Sequence, residues 1–264
     1  MTVRTMTAIV TGGASGIGAA TARRIVAGGG AVGVLDLNID AAQQFVRELG
    51  ASAIAVAADV LDENALNAAA DRVEQALGPV NALVCCAGIP QMPRPIEEWP
   101  TSEFRRIVES HLMGTYASCR AIGSRMAAGP GGAIVNVASV VGVHSGPILA
   151  YGSAKAAVAS LTQSLAVHWA PKDVRVNAGA PGWSDTPFLR PKERQGERDL
   201  TPILDATPMR RLMQPDEIAE VIHFLLSPAA SGITGVILPC DGGILAGAGW
   251  FPFGGFDASR SEAR

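Results

Sequence analysis

Three side chains in this sequence carry chemistry that a packed core has no use for: Ser139, Tyr151 and Lys155. Tyr151 and Lys155 stand four residues apart in a segment whose apolar spacing predicts a helix from Tyr151 to Trp169, so their side chains share one face and the ammonium lies near the phenol. A phenol ordinarily ionises near pH ~10, and bringing that value ~2 to 3 units closer to neutrality takes about 3 to 4 kcal/mol. One positive charge about 4 Å away supplies roughly 4 kcal/mol at an effective dielectric of 20. A single lysine is therefore enough in magnitude to make this tyrosine a proton carrier. Ser139 follows an apolar run at 133–138 and adds a hydroxyl able to donate a hydrogen bond to a substrate oxygen. A Tyr-x-x-x-Lys pair also arises by chance on helices, so its weight depends on the elements around it.

The element that organises them begins at residue 7. The run Thr7-Ala8-Ile9-Val10-Thr11 empties into Gly12-Gly13-Ala14-Ser15-Gly16-Ile17-Gly18, which reads as buried strand, tight turn and helix start. Glycines at 12, 16 and 18 let the backbone turn sharply and approach a ligand, while the unpaired N–H groups of the new helix attract phosphate; a pyrophosphate is the expected guest. A second apolar strand ends in Asp36, eighteen residues after Gly18, where an acid that binds a ribose is wanted. Asp36 also has the chemistry to cap the turn that follows it.

Apolar strands and helix-period segments then alternate along the whole chain. Strands are expected at 31–35, 53–57, 82–86, 133–138, 174–178 and 235–239, with Asp62 capping one helix and Thr101-Ser102-Glu103 opening a long one to about Met126. This is an α/β pattern: one doubly wound parallel sheet with helices on both faces, and a ligand at the carboxyl ends of the strands. The chain is expected to form one domain over 1–264, with a Pro-rich lid at about 183–213 and an apolar tail at 244–264 holding Trp250, Phe251, Phe253 and Phe256.

Composition removes several classes of function. A net charge of −3 with scattered Lys and Arg offers no basic stripe for nucleic acid. The uncharged residues 130–154 are interrupted by Asn136, His144 and Pro147, so membrane insertion is not expected. The four cysteines, with Cys85 and Cys86 adjacent and Cys119 and Cys240 apart, match neither a zinc spacing nor a secreted disulfide framework. No metal is expected, and the absence of an apolar leader before the first strand points to a reducing, cytoplasmic location.

Taken together, these residues resemble the short-chain dehydrogenase/reductase family from Thr11 to Gly243. The likeness rests on TGGASGIG at 11–18, Asp59-Val60, Ala87-Gly88, Ser139, Tyr151-Gly152-Ser153-Ala154-Lys155, Pro181-Gly182 with Thr186, Thr234-Gly235 and Asp241-Gly242-Gly243. The resemblance implies a single Rossmann domain with seven parallel strands, a nicotinamide cofactor, and a homotetramer or homodimer. It implies that Tyr151 is the general acid/base, that Lys155 activates it and binds the nicotinamide ribose, and that Ser139 orients the substrate oxygen. It further implies a cofactor site built from Gly12, Ser15, Gly16, Ile17, Gly18, Asp36, Leu37, Asp59, Val60, Ala87, Gly88, Pro181, Gly182, Ser184 and Thr186. The carboxylate of Asp36 suits the adenosine ribose of NAD and repels the extra phosphate of NADP, and Ala14 and Ser15 bring no cation to offset it, so NAD is the expected cofactor.

Two positions depart from the family pattern. His111 stands where an Asn is common, at a residue linked to a water-borne proton relay toward the lysine; it either holds a water or packs in the helix. Cys85-Cys86 replaces a pair of asparagines, which removes polar ties to the sheet. The expected activity is interconversion of a secondary alcohol and a ketone, with His144, Leu149, Trp183 and Phe188 as substrate-side candidates. Arg190, Lys192, Arg194 and Arg198 either attract an anionic substrate or form a solvated lid face. A catalytically weakened nucleotide-binding scaffold and an acyl-thioester ketoreductase are the competing readings.

Overall fold

In a computed structural model, residues 5–189 and 199–249 are described. Seven strands, β1 (Thr7–Thr11), β2 (Ala31–Asp36), β3 (Ala53–Ala57), β4 (Ala82–Cys85), β5 (Gly132–Val137), β6 (Val174–Pro181) and β7 (Ile237–Cys240), form one sheet in the order β3-β2-β1-β4-β5-β6-β7. Every pairing is parallel. A parallel sheet is covered on both faces, so each strand must be apolar on both sides. Along β1, Ala8 and Val10 join one core and Ile9 the other. The first core takes Ile25 of α1 (Gly16–Ala27), Phe45 of α2 (Ile39–Leu49) and Ile218, Ile222 and Leu225 of α9 (Pro215–Leu226). The second takes Leu66 and Val73 of α3 (Glu63–Leu77), Ile122 and Met126 of the long helical stretch, and Trp169 of α7 (Leu149–Trp169).

The order of strands reverses beside β1: the chain first builds outward through β2 and β3, then returns to lay β4 on the other side. Crossovers that leave β1 and β4 in opposite directions open a crevice at the carboxyl ends of those strands.

The seven strands fall where the apolar runs place them, with β7 starting two residues later and β6 running three residues further than expected. The long helix from Thr101 extends to Ala128, but it is not uniform: α4 (Thr101–Val108), α5 (Gly114–Ser118) and α6 (Ser124–Ala128) are joined by π turns at Glu109–Met113 and Cys119–Gly123. A residue inserted into the i→i+4 ladder leaves no mark in the apolar spacing, so the sequence gives no sign of it. The first π turn carries His111.

The cysteines also differ from expectation. Cys85 Sγ lies 3.9 Å from Cys119 Sγ, Cys119 donates to Asn136 Oδ1 at 3.5 Å, and Asn136 Nδ2 donates to Thr162 Oγ1 at 2.9 Å. A polar tie across the sheet therefore survives, in weaker thiol bonds. Past β6, Leu189, Ile203 and Leu212 pack with Trp183, Leu200 and Leu204 as a small core of their own, around the short helix α8 (Thr201–Asp205). After β7 comes α10 (Ile244–Gly247); Trp250, Phe251, Phe253 and Phe256, like Arg190, Lys192, Arg194 and Arg198, lie outside the described residues. No helix among the described residues is long and apolar enough to cross a membrane.

Candidate active site

A cavity of about 730 Å³ opens at the carboxyl ends of the strands. One end is built from backbone. At Gly12 (φ +63°) an added Cβ would lie 2.7 Å from Ala87 Cα, and one at Gly18 would overlap the Gly12 carbonyl oxygen. These two glycines let the β1–α1 turn nest against the end of β4. Gly18 does its work inside the turn and does not line the cavity, whereas Gly12, Ser15, Gly16 and Ile17 do. Ser15 is the N-cap of α1 but its side chain makes no capping bond, so the first-turn N–H groups have no side-chain partner from the cap.

Asp36, at the end of β2, accepts from Ala14 N at 3.1 Å through Oδ2 and from Asn38 N at 3.0 Å through Oδ1. It caps the following turn and also braces the glycine turn. A carboxylate oxygen has two lone pairs, so both keep acceptor capacity for a ribose. Leu37 beside it is 73% exposed and lines the cavity. Asp59 accepts from Leu61 N at 2.9 Å, which holds the Asp59-Val60 corner open, and Ala87 and Gly88 line the floor. From β6 come Pro181, Gly182, Ser184 and Thr186; Ser184 Oγ donates to Gly182 O at 3.0 Å, and Thr186 Oγ1 donates to Ser184 O at 3.4 Å. A cleft lined by a helix start without a side-chain cap and by the acid at the end of β2 fits a dinucleotide.

The other end is built from side chains, and it brings Ser139, Tyr151 and Lys155 together. The Ser139 side chain stands close enough to the Tyr151 phenol to lower its pKa, and Lys155 Nζ lies 5.5 Å from the centre of the Tyr151 ring. All three line the cavity. Their acid–base properties differ from the expectation. Burial pushes the Tyr151 phenol up to about 12, more than Ser139 lowers it. Burial likewise pulls the Lys155 ammonium down to about 8, and Nζ donates to the Val137 carbonyl at 2.6 Å. Taking both groups out of water disfavours both charged forms, so the lysine alone does not bring the phenol near neutrality.

His111 is 2% exposed and packs edge-on against Tyr151, ring centres 4.9 Å apart. Its Nε2 lies 2.8 Å from the Ile89 carbonyl oxygen, and its ring is pressed so closely on Gly88 that no Cβ fits there. Burial, reinforced by Lys155, pushes its pKa down to about 3, so the imidazole is neutral. Of the two roles left open by the sequence, this geometry matches the packed histidine: it seats the 87–91 loop against Tyr151.

Trp183 and Phe188 line the cavity, Phe188 with its ring 5.8 Å from that of Tyr151. His144 and Leu149 do not. His144 is exposed, with Nδ1 3.1 Å from the Ser145 carbonyl. Leu149 precedes Tyr151 by two residues on α7, which at 3.6 residues per turn puts it on the opposite face of the helix. Sequence reasoning missed Gln91, whose Oε1 accepts from Tyr151 N at 2.7 Å, and the apolar wall of Met92, Val141 and Ile148. Gln91 sits in a Pro-rich loop sixty residues before its partner, and no local spacing marks it.

A family model described as enoyl-(acyl carrier protein) reductase matches residues 12–245. The chain is 41% identical over 243 residues to cis-4-hydroxycyclohexanecarboxylate dehydrogenase of Sinomonas cyclohexanicum, covering 90% of this chain and 96% of that protein. It is 38% identical to 2-dehydro-3-deoxy-L-rhamnonate dehydrogenase (NAD(+)) of a Sphingomonas species, covering 89% and 94%. Among solved structures, one named ribose-5-phosphate isomerase from Brucella melitensis 16M superposes with a TM-score of 0.90 at 41% identity, covering 95% of this chain and 96% of that one.

Proposed function

The chain belongs to the short-chain dehydrogenase/reductase family and is an oxidoreductase, and from that premise we propose that it interconverts a secondary alcohol and a ketone with NAD, Tyr151 exchanging the proton. The observation that carries this reading is the meeting of Ser139, Tyr151 and Lys155 on the wall of the same cavity that the glycine turn lines, with Lys155 Nζ 5.5 Å from the Tyr151 ring centre. In the oxidative direction the alcohol loses a hydride from carbon and a proton from oxygen. Ser139 holds that oxygen, and Tyr151 takes the proton in its phenolate form, which Lys155 and the cofactor's charge together must favour against burial. NAD, when bound, accepts the hydride and adds a positive ring charge to the site.

Lys155 supplies a fixed positive charge near the phenol and a donor for the nicotinamide ribose; Thr186 and the backbone at Pro181-Gly182 are placed to hold the carboxamide. Asp36 is the acid for the adenosine ribose, and the NAD(+) in the name of the Sphingomonas relative agrees with it. The name of the Sinomonas relative describes a secondary alcohol on an apolar ring, which suits walls made of Met92, Val141, Ile148, Trp183 and Phe188. An acyl-thioester reductase, the reading nearest the description of the matching family model, is the second reading: such enzymes usually draw on NADPH, which Asp36 opposes, but the 3-ketoacyl-(acyl-carrier-protein) reductase from Brucella melitensis, 36% identical to this chain, is complexed with NADH. An isomerase of the kind named for the Brucella chain needs no dinucleotide and would leave the glycine turn and Asp36 without a task.

The test is a panel of cyclic hydroxy acids, cyclic alcohols and polyols offered with NAD and with NADP, followed by nicotinamide absorbance. The reading expects NAD-linked turnover of a secondary alcohol. NADP-linked reduction of ketoacyl thioesters alone, or binding of NADH with no turnover across the panel, would replace it.

A further inference from the structure

Helix α7, which carries Tyr151 and Lys155, begins without a local cap: its N-cap is Ile148, which has no side-chain acceptor. The third residue of such a helix has a free N–H that an N-cap side chain ordinarily takes. Here that residue is Tyr151, and its N–H donates to Oε1 of Gln91, sixty positions earlier in the chain, at 2.7 Å. The bond fixes which way the carboxamide faces, because only its oxygen accepts. Its other half is then a pair of N–H donors on Nε2. That atom is buried and has no hydrogen-bond partner among the described residues, in a side chain 9% exposed that lines the cavity beside Tyr151.

Buried polar groups in folded proteins are nearly always paired, so an idle donor on a cavity wall points to a partner that arrives with the ligand. Two other buried atoms are similarly unpaired, Trp99 Nε1 and His111 Nδ1. Trp99 does not line the cavity. His111 Nε2 lies 2.8 Å from the Ile89 carbonyl oxygen and 3.3 Å from Ile89 N; the shorter contact favours Nε2–H as the donor, which leaves Nδ1 an acceptor rather than a donor for an oxygen. Gln91 remains. Around it Met92, Val141 and Ile148 are apolar, and the amide carries no charge.

We propose that Gln91 is a specificity-determining residue: Oε1 sets Tyr151 in place, and Nε2 donates to a second oxygen on the substrate, a hydroxyl, carbonyl or carboxylate carried on an apolar body. This deepens the alcohol dehydrogenase reading and rests on it.

The experiment compares kcat/KM with NAD for cyclohexanol and for cis-1,4-cyclohexanediol, in the full chain and in two variants. The diol gains about twofold simply from having two equivalent hydroxyls. One added hydrogen bond is expected to raise the wild-type preference to roughly tenfold or more. Gln91→Met removes donor and acceptor while keeping the shape, and the preference should collapse to about twofold. Gln91→Glu keeps an acceptor for Tyr151 N–H but puts an acceptor where the donor was, and the preference should fall at least as far; it decides the matter if Gln91→Met does not fold. A wild-type preference near twofold, or one that neither variant moves, overturns the inference and leaves Gln91 as a helix clamp. In that case both alcohols are still oxidised with NAD and the reading of the active site stands. No turnover by the wild type of these two alcohols or of any alcohol in the panel above removes that reading, and this inference with it.

Discussion

The two ends of the cavity are built by different means. At the nucleotide end the contacts are mostly to backbone: Gly12 packs against Ala87 and Gly18 against Gly12, and Asp36 ties Ala14 and Asn38 by their N–H groups. At the chemical end they are side-chain contacts between distant segments, as Gln91 on Tyr151 and His111 on Ile89 show. A site made of backbone tolerates few residue types, because a Cβ or a missing carboxylate is felt at once. A site made of side chains can be retuned one residue at a time while the first remains fixed, which separates the cofactor from the choice of substrate.

Substitutions at the two ends should therefore fail differently. The largest effect is expected from Lys155→Met, with kcat/KM lower by roughly 10³, near the upper part of the range for acid–base assistance. Its stability should not fall in proportion, since burial of the ammonium is unfavourable. The sign follows from the lowered pKa: between about 8 and 10.5 the folded chain has released a proton that the unfolded chain still binds, so wild-type stability rises with pH across that window. In Lys155→Met that rise should be missing from denaturant titrations. A fall in stability as large as the loss of activity would show that the lysine is structural and blur the comparison.

Gly18→Ala should do the reverse, costing about 3 kcal/mol by forcing a methyl onto the Gly12 carbonyl, or a Tm lower by roughly 6 to 12 °C for a chain of this size. Any enzyme that remains folded should bind NADH poorly while Ser139, Tyr151 and Lys155 keep their contacts. Asp36→Ala is expected to shift the ratio of NAD to NADP affinity by about tenfold or more toward NADP, measured by fluorescence titration, with a smaller stability loss from the two freed N–H groups. An unchanged ratio would reduce Asp36 to a turn cap.

His111→Asn should be the mildest, with kcat/KM within about threefold of wild type and no step near pH ~6.5 in either profile, since an imidazole held neutral does not titrate there. Stability should show the difference instead. With the folded pKa pushed down to about 3, the contribution of the neutral ring is complete above pH 6.5 and is lost as pH falls toward 3, so the variant should have a flatter acid limb.

How much of this was legible in the sequence follows the same division. The glycine spacing, Asp36 and the Tyr151–Lys155 pair are local patterns whose geometry is dictated by one turn or one helix face, and they lie where those patterns put them. The strand alternation likewise reports burial on both faces, because each residue of β1 must satisfy its own core. What stayed hidden needed the third dimension. Leu149, one of the substrate-side candidates, is turned away from the cavity by helical geometry. Gln91 has no partner within sixty residues, and the π turn that carries His111 changes register without changing composition. The balance of charge was also misjudged: the spacing shows that a lysine stands near a phenol, but not that burial would outweigh it.

The central claim is that the Tyr151 hydroxyl carries the proton at the end of a nucleotide cleft. It is tested most directly by Tyr151→Phe, measured with the best NAD-linked alcohol from the panel, with NADH binding followed in parallel. The account predicts NADH affinity within about threefold of wild type and kcat/KM lower by at least ~10³. Turnover within about tenfold of wild type in a variant that binds NADH normally would mean that another group moves the proton.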